Sequence, residues 1–296
     1  MKLSRKIQNR LEYIAFRGAI GVLKALPYPR AKEILCGLFD LIGYRIGIRK
    51  EVALIQLEKA MPELDKVQRH AVLRKHYRMM ALNAAEEYLL SAKEMYARSF
   101  TTGRENCDEA FALGRGVILG TAHYGNWEAA RVFPLFGIPV AVITKKQRNR
   151  LFNSYTDAIR SSEGVGIIDM RKGLRDILET LKKNEMVAIL ADQNAGKHGL
   201  IFNFMGYPAS HWLGVAKLSL RYKIPIVPGF SHRTDDERTN FCFEKMIYHP
   251  ELEDKDENYQ LILSELDQVL ERYIRANPEQ WFWVHKRWKS AYDMFK

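Results

Sequence analysis

His123 and Glu128 stand five positions apart in the most chemically loaded stretch of this chain, Gly120-Thr-Ala-His123-Tyr-Gly-Asn-Trp-Glu128. On one continuous helix the two side chains would lie about 140° apart around the axis and could not cooperate. The flanking residues predict a different arrangement. Val117-Ile-Leu119 is a short apolar run of the kind that makes a buried strand. Asn126 is a residue type that caps helices, which places Trp127 and Glu128 in the first turn of a helix over 127–136. Across such a strand-to-helix turn the two can face each other. A carboxylate hydrogen-bonded to one imidazole nitrogen fixes the tautomer and makes the other nitrogen a better base. The plainer alternative is a strand-end histidine beside a glutamate that the helix dipole favours.

No nucleophile of the chain's own accompanies the pair. There is no Gly-x-Ser-x-Gly elbow, no Gly-x4-Gly-Lys-Ser/Thr loop and no Gly-x-Gly-x-x-Gly turn. That suits direct transfer of a group onto a hydroxyl the substrate brings. Asp192-Gln193 closes the apolar run Met186–Ala191, so like His123 it lies at a strand's carboxyl end, the edge where open α/β sheets bind ligands. Lys145-Lys-Gln-Arg-Asn-Arg150 is a basic cluster after another strand, fit for phosphates or simply a solvated face. Phe202, Phe204, Tyr207 and Trp212 could line an apolar channel or fill core. Trp281, Trp283 and Trp288, set among His285, Lys286 and Arg287, suit a membrane interface or stacking on single-stranded nucleic acid.

The elements that must position these residues change character along the chain. Residues 3–26 read as a basic amphipathic helix, with Ile7, Leu11, Ile14 and Val22 near one stripe, ended by Pro27 and Pro29. A second, more apolar helix spans 30–48, and helical periodicity continues from 50 to about 100. His70, His76, Glu86 and Glu87 fall there, without metal-binding spacing, and read as solvated helix faces. From Gly114 onward, apolar runs at 116–121, 138–144, 164–168, 186–191, 224–230 and 241–248 alternate with helical patterns at 127–136, 149–162, 172–183 and 212–222. A long helix over 256–276 follows. The alternation predicts an α/β fold, a mostly parallel central sheet flanked by helices. We expect an N-terminal helical, membrane-associating region, 1–100, packed on a catalytic α/β domain, 101–296.

Composition narrows the classes. With 296 residues, 47% of them hydrophobic, the chain can bury a core, and 46 basic against 35 acidic residues give it a formal charge of +11. Such a chain attracts nucleic acid, an anionic membrane surface or an acidic protein partner. Cys36, Cys107 and Cys242 are scattered, without a Cys-x-x-Cys, as in a reduced, cytoplasm-facing protein. Neither a cleavable signal nor a clean spanning segment is evident, so membrane association should be peripheral.

The form His-Tyr-Gly-Asn-Trp-Glu resembles the active-site motif of the bacterial lipid A secondary (late) acyltransferases, the lauroyl/myristoyl transferase family, within the wider His-x4-Asp/Glu lysophospholipid acyltransferases. Asp192-Gln193, Phe204-Met-Gly206-Tyr-Pro208-Ala-Ser210 and Pro278–Lys289 are similar to that family's later motifs, with Met205 where a second Phe is expected. Phosphatidylinositol mannoside acyltransferases share much of the pattern. The resemblance implies an enzyme that moves a fatty acyl chain from an acyl-carrier-protein thioester to a hydroxyl of a lipid A precursor, in lipopolysaccharide biosynthesis. It implies peripheral or monotopic association with the cytoplasmic face of a bacterial inner membrane, no cofactor or metal, and no nucleic-acid partner. It makes His123 the general base and Glu128 its orienting group. Arg160, 32 residues past Glu128, matches a functionally important arginine. Asn126, Arg160, Asp192 and Gln193 become substrate-binding residues. The rival classes are a basic nucleic-acid-binding module built on the tryptophan tail and a non-catalytic membrane-surface protein.

Overall fold

The structure, a computed structural model, describes residues 2–145, 148–170, 173–292 and 294–295. Its first part is helical: α1 (Lys2–Lys24), α2 (Tyr28–Phe39), α3 (Lys50–Ala60) and α4 (Lys66–Leu89), with α5 (Ala92–Tyr96) behind them. A π-helical turn, Asp40–Arg45, extends α2, so the expected 30–48 helix divides in two. Asp65 starts α4 with a capping box: its carboxylate accepts from Gln68 N–H while the Gln68 side chain accepts from Asp65 N–H. Pro27 precedes α2 and helps end α1, as expected.

Beyond Tyr96 the chain is α/β. Strand β1 (Ser99–Thr102) leads into α6 (Arg104–Ala112), both of which the apolar-run reading missed. Then follow β2 (Val117–Thr121), β3 (Val140–Thr144), α7 (Arg150–Ser162), β4 (Gly166–Asp169), α8 (Gly173–Lys182) and β5 (Met186–Leu190). A hairpin of β6 (Leu200–Phe204) and β7 (Tyr207–His211) precedes α9 (Gly214–Tyr222), β8 (Ile226–Arg233), β9 (Thr239–Phe243) and α10 (Asp256–Ala276). The hairpin turns on Met205 (φ 49°) and Gly206 (φ 86°), both in the left-handed region that a two-residue turn of this hand requires.

Among the described residues the main sheet has seven strands in the order β1-β9-β8-β2-β5-β3-β4. The run β8-β2-β5-β3-β4 is parallel and β9 joins β8 antiparallel, so the sheet is mostly parallel, as expected. Two apolar layers cover it. One holds Val132, Phe133 and Ile138 on Val117, Leu119 and Val227; the other holds Val215, Ile262 and Leu266 on Ile118, Val187 and Ile226. A third core carries Leu57, Leu73 and Tyr77 from the N-terminal helices together with Trp281, Trp283 and Trp288. The three tryptophans are buried, which corrects the expectation of an interfacial or base-stacking tail. Their indoles pack, and their N–H groups donate to Asp192 Oδ2, Pro278 O and Phe204 O.

Candidate active site

Register decides what the strand ends bring together. Thr121 of β2 pairs with Leu190 of β5, and Ala191 N–H donates to Thr121 O at 3.0 Å. His123 and Asp192 each lie two residues past that pair, so neighbouring strands deliver them to one edge. The Asp192 carboxylate spans the histidine. Oδ1 lies 2.8 Å from His123 Nδ1, while Oδ2 accepts from His123 N–H at 3.0 Å and from the Trp281 indole at 2.9 Å. A carboxylate only accepts, so Nδ1 carries the proton and Nε2 presents its lone pair. The Gln193 amide sits 3.2 Å from that Nε2. Trp127 and Phe282 press on the ring at centroid distances of 5.1 and 5.9 Å.

Burial opposes a charged imidazolium here, but the Asp192 carboxylate, with Glu128 farther off, outweighs it and raises the His123 pKa above its ordinary value. Asp192 is buried, which favours its neutral form, yet His123 and the Trp281 N–H hold its pKa below the usual carboxylate range. His285 closes the cluster from the side, its Nε2 accepting from Asn194 N–H at 3.2 Å. Burial lowers the His285 pKa, so this second imidazole is neutral near pH 7.

Glu128 does not make the hydrogen bond expected of it. Its carboxylate is held by Arg160 of α7, Nη2 donating at 2.8 and 2.7 Å and Nε at 3.1 Å. Asp157 takes Arg160 Nη1 at 3.0 Å. The physical reason lies in the segment after Asn126. It is a 3-10 helix, Trp127–Phe136, with Pro134 inside it, rather than the α-helix expected, and its first turn faces α7. Asn126 is no side-chain cap either: it is buried, and its amide donates to Glu86 Oε2 at 2.7 Å. So the pairing expected between His123 and Glu128 becomes two adjoining pairs, His123–Asp192 and Glu128–Arg160.

Behind the loop lies a buried polar support. Arg233 of β8 forks onto Glu86 of α4 at 2.6 and 2.7 Å and reaches Asn83 Oδ1 at 3.1 Å. Asn83 Nδ2 donates to Gly125 O at 2.6 Å. On the other side the C-terminal segment runs along the loop: Gly125 N–H donates to Gln280 O and Phe282 N–H to His123 O. Glu86 and His76 are thus buried, correcting the view of them as solvated faces. Burial and then the Glu128 charge push the carboxyl of neighbouring Glu87 up to about 7. Burial takes the His76 pKa down to about 4, against the Glu279 carbonyl that its Nδ1–H meets at 3.1 Å.

A narrow cavity of about 60 Å³ lies in the core behind Trp127. Thr121, Asn126 and Trp127 flank its site end; Phe133, Phe241 and Phe243 stand deeper. The other expected channel, from Phe202 to Trp212, resolves differently: Phe204 is core and Phe202 stacks on His211 at 3.6 Å. In the basic cluster Lys146 and Gln147 lie outside the described residues. Lys145, Arg148 and Arg150 are exposed, and Asn149 caps α7 while donating to Asn9 O of α1.

A family model described as bacterial lipid A biosynthesis acyltransferase matches residues 2–290. The chain belongs to that family. The acyltransferase is 23% identical to the lipid A biosynthesis lauroyltransferase of Escherichia coli K12, over 92% of this chain and 90% of that one. It is 24% identical to the lipid A biosynthesis palmitoleoyltransferase of the same strain, over 98% and 95%. A phosphatidylinositol mannoside acyltransferase of Mycobacterium tuberculosis is 24% identical over 63% of this chain and 58% of its own. Sequence reasoning had Asp192 at the right edge of the acyltransferase, but as a substrate contact rather than the histidine's partner. The signal available was that His123 and Asp192 each follow an apolar run closely and so lie at strand carboxyl ends. Glu86, Arg233 and Trp281 carried no such signal.

Proposed function

We propose that the acyltransferase moves a fatty acyl chain from an acyl-carrier-protein thioester to a hydroxyl of a lipid A precursor, at the cytoplasmic face of a bacterial inner membrane. The observation that carries the mechanism is the 2.8 Å contact between His123 Nδ1 and Asp192 Oδ1. It leaves Nε2 as a base between the rings of Trp127 and Phe282 and beside the Gln193 amide. The acceptor hydroxyl displaces the Gln193 amide and gives its proton to Nε2 as its oxygen attacks the thioester carbonyl. Asp192 holds the tautomer and stabilises the imidazolium that forms. Arg160, steadied by Glu128 and Asp157, offers its guanidinium to the tetrahedral oxyanion or to an acidic group of the acceptor. The departing thiolate takes the proton back from His123. Gln193 adds an amide donor at the same spot, and Asn126 serves by holding the loop.

Coverage favours a lipid A-type acceptor over a mannoside, since lipid A acyltransferases match over nearly the whole chain. A formal charge of +11 suits an acidic carrier and a phosphorylated acceptor alike. The test is transfer from a carrier thioester to lipid by purified protein, followed by mass spectrometry. His123→Ala should lose about 10²-fold or more in kcat. Undiminished turnover in that variant would remove His123 from the chemistry, and absence of transfer by the unaltered protein would remove the activity.

A further inference from the structure

A second apolar slot lies on the other side of the segment that presses on the catalytic ring. It is a groove of about 210 Å³ between α2 and α4, walled by Leu38, Ile42, Ile48, Tyr77, Met80 and Val284. Leu38 and Ile42, four residues apart on α2 and its extension, point the same way. They are 45% and 37% exposed, and Ile48 is 56% exposed, so the walls stand open to solvent. Gly43 lies against the Tyr77 ring, where a Cβ would collide with the ring carbons, so only glycine lets the groove close at its base. Arg49 lines its edge, on a turn where Gly47 (φ 89°) and Arg49 (φ 63°) are both left-handed, while Arg45 and Lys50 line a neighbouring surface pocket. Arg45 is engaged by Asp40, but Arg49 is exposed and without a carboxylate partner among the described residues.

The groove's position ties it to the reaction. Val284 lines it, and Phe282, two residues earlier, packs on His123. Arg49 lies close enough to His285 to help keep that imidazole uncharged. The slot is separate from the core cavity, which shares none of its lining residues. An apolar slot with an unpaired cation at its open end is complementary to an amphiphile with one chain in the groove and an anionic head at the mouth.

We infer that this groove seats an acyl chain already carried by the acceptor lipid, with Arg49 meeting the acceptor's anionic headgroup. This rests on the acyl-transfer reading and adds the acceptor's docking geometry to it. The acceptor's chain then approaches His123 along the surface, past Val284 and Phe282.

The test uses the full chain and dodecyl phosphate below its critical micelle concentration, with binding followed by calorimetry. Leu38→Glu/Ile42→Glu should weaken binding about ten-fold or more, the cost of placing charge against an apolar tail. Arg49→Gln should weaken dodecyl phosphate and leave neutral dodecyl maltoside unchanged. Ile14→Glu/Val22→Glu, which charges α1 away from the groove, should leave both unchanged. In the transfer assay, Leu38→Glu/Ile42→Glu should raise KM for a phosphorylated, acylated glucosamine lipid while sparing hydrolysis of the donor thioester by water. Equal binding by the unaltered chain and Leu38→Glu/Ile42→Glu overturns the proposal. So does no binding by either, or equal loss in both double variants, which would make the face a general membrane contact only. Failure of the acyl-transfer reading shows separately, as absence of transfer by the unaltered chain.

Discussion

At the scale of single residues, the mechanism proposed above makes the pair His123–Asp192 a unit whose charge state sets the activity. The base works with Nε2 unprotonated, so kcat/KM should rise with pH through the His123 pKa. Asp192 raises that pKa above its ordinary value, so the rising limb should centre above about 6.5. Asp192→Asn removes the charge and leaves burial, which favours the neutral ring, so the limb should move down, below about 6.5. The same change takes away the acceptor that fixes Nδ1–H, and kcat should fall on the order of 10²-fold or more at every pH. A pH–rate profile of both proteins checks this. A limb that stays in place in Asp192→Asn would separate the two residues. Glu128 acts at longer range, through Arg160, so Glu128→Gln should lower kcat while leaving the rising limb closer to its original position than Asp192→Asn does.

At the scale of elements, the catalytic loop is clamped between β8, α4 and the C-terminal segment. Gly125 is the tightest point: φ is 57°, and a Cβ there would collide with the Ser231 carbonyl oxygen. Gly125→Ala therefore combines a left-handed backbone cost of about 1–2 kcal/mol with overpacking of about 1–3 kcal/mol. Urea denaturation should show a loss of about 3.5 kcal/mol, the middle of that combined range, and transfer should fall with it because His123 lies two residues away. A variant of unchanged stability would mean that the loop can leave Ser231. The alternation of apolar runs made the parallel sheet legible, and with it His123 and Asp192–Gln193 at its carboxyl edge. What periodicity does not carry is which strands are neighbours. His123 and Asp192 are 69 residues apart in sequence, and only the pairing of Thr121 with Leu190 puts Asp192 rather than Glu128 on the imidazole. Glu86 and Arg233 were hidden for the same reason. A charged residue on a helix looks solvated until its partner from a distant strand is known.

At the scale of the whole molecule, the apolar surface is concentrated on the N-terminal helices. Ile7, Leu11, Ile14 and Val22 of α1 are exposed, as are Ile34, Leu38, Leu41 and Ile46 beside it. Aromatic contacts of Tyr13 and Phe16 with Phe152 and Tyr155 hold α1 to α7 by its other face. The stripe is thus turned outward by packing, and no helix among the described residues is long and apolar enough to cross a membrane. An outward apolar stripe on a chain of formal charge +11 suits the surface of an anionic bilayer. Binding of such a surface to a bilayer would combine two forces, and they separate experimentally. The electrostatic part weakens as the Debye length falls from about 10 Å at 0.1 M salt to about 3 Å at 1 M, whereas burial of apolar side chains does not. Vesicles containing phosphatidylglycerol should therefore bind the protein more tightly than neutral vesicles at about 0.1 M salt, with part of the binding surviving at about 1 M. Ile14→Glu/Val22→Glu should remove the salt-resistant part, about ten-fold or more, because each buried side chain of this size contributes about 1.5–3 kcal/mol. Sedimentation with vesicles measures both parts. If the double variant binds as the unaltered chain does at the higher salt, the stripe on α1 is not what meets the lipid.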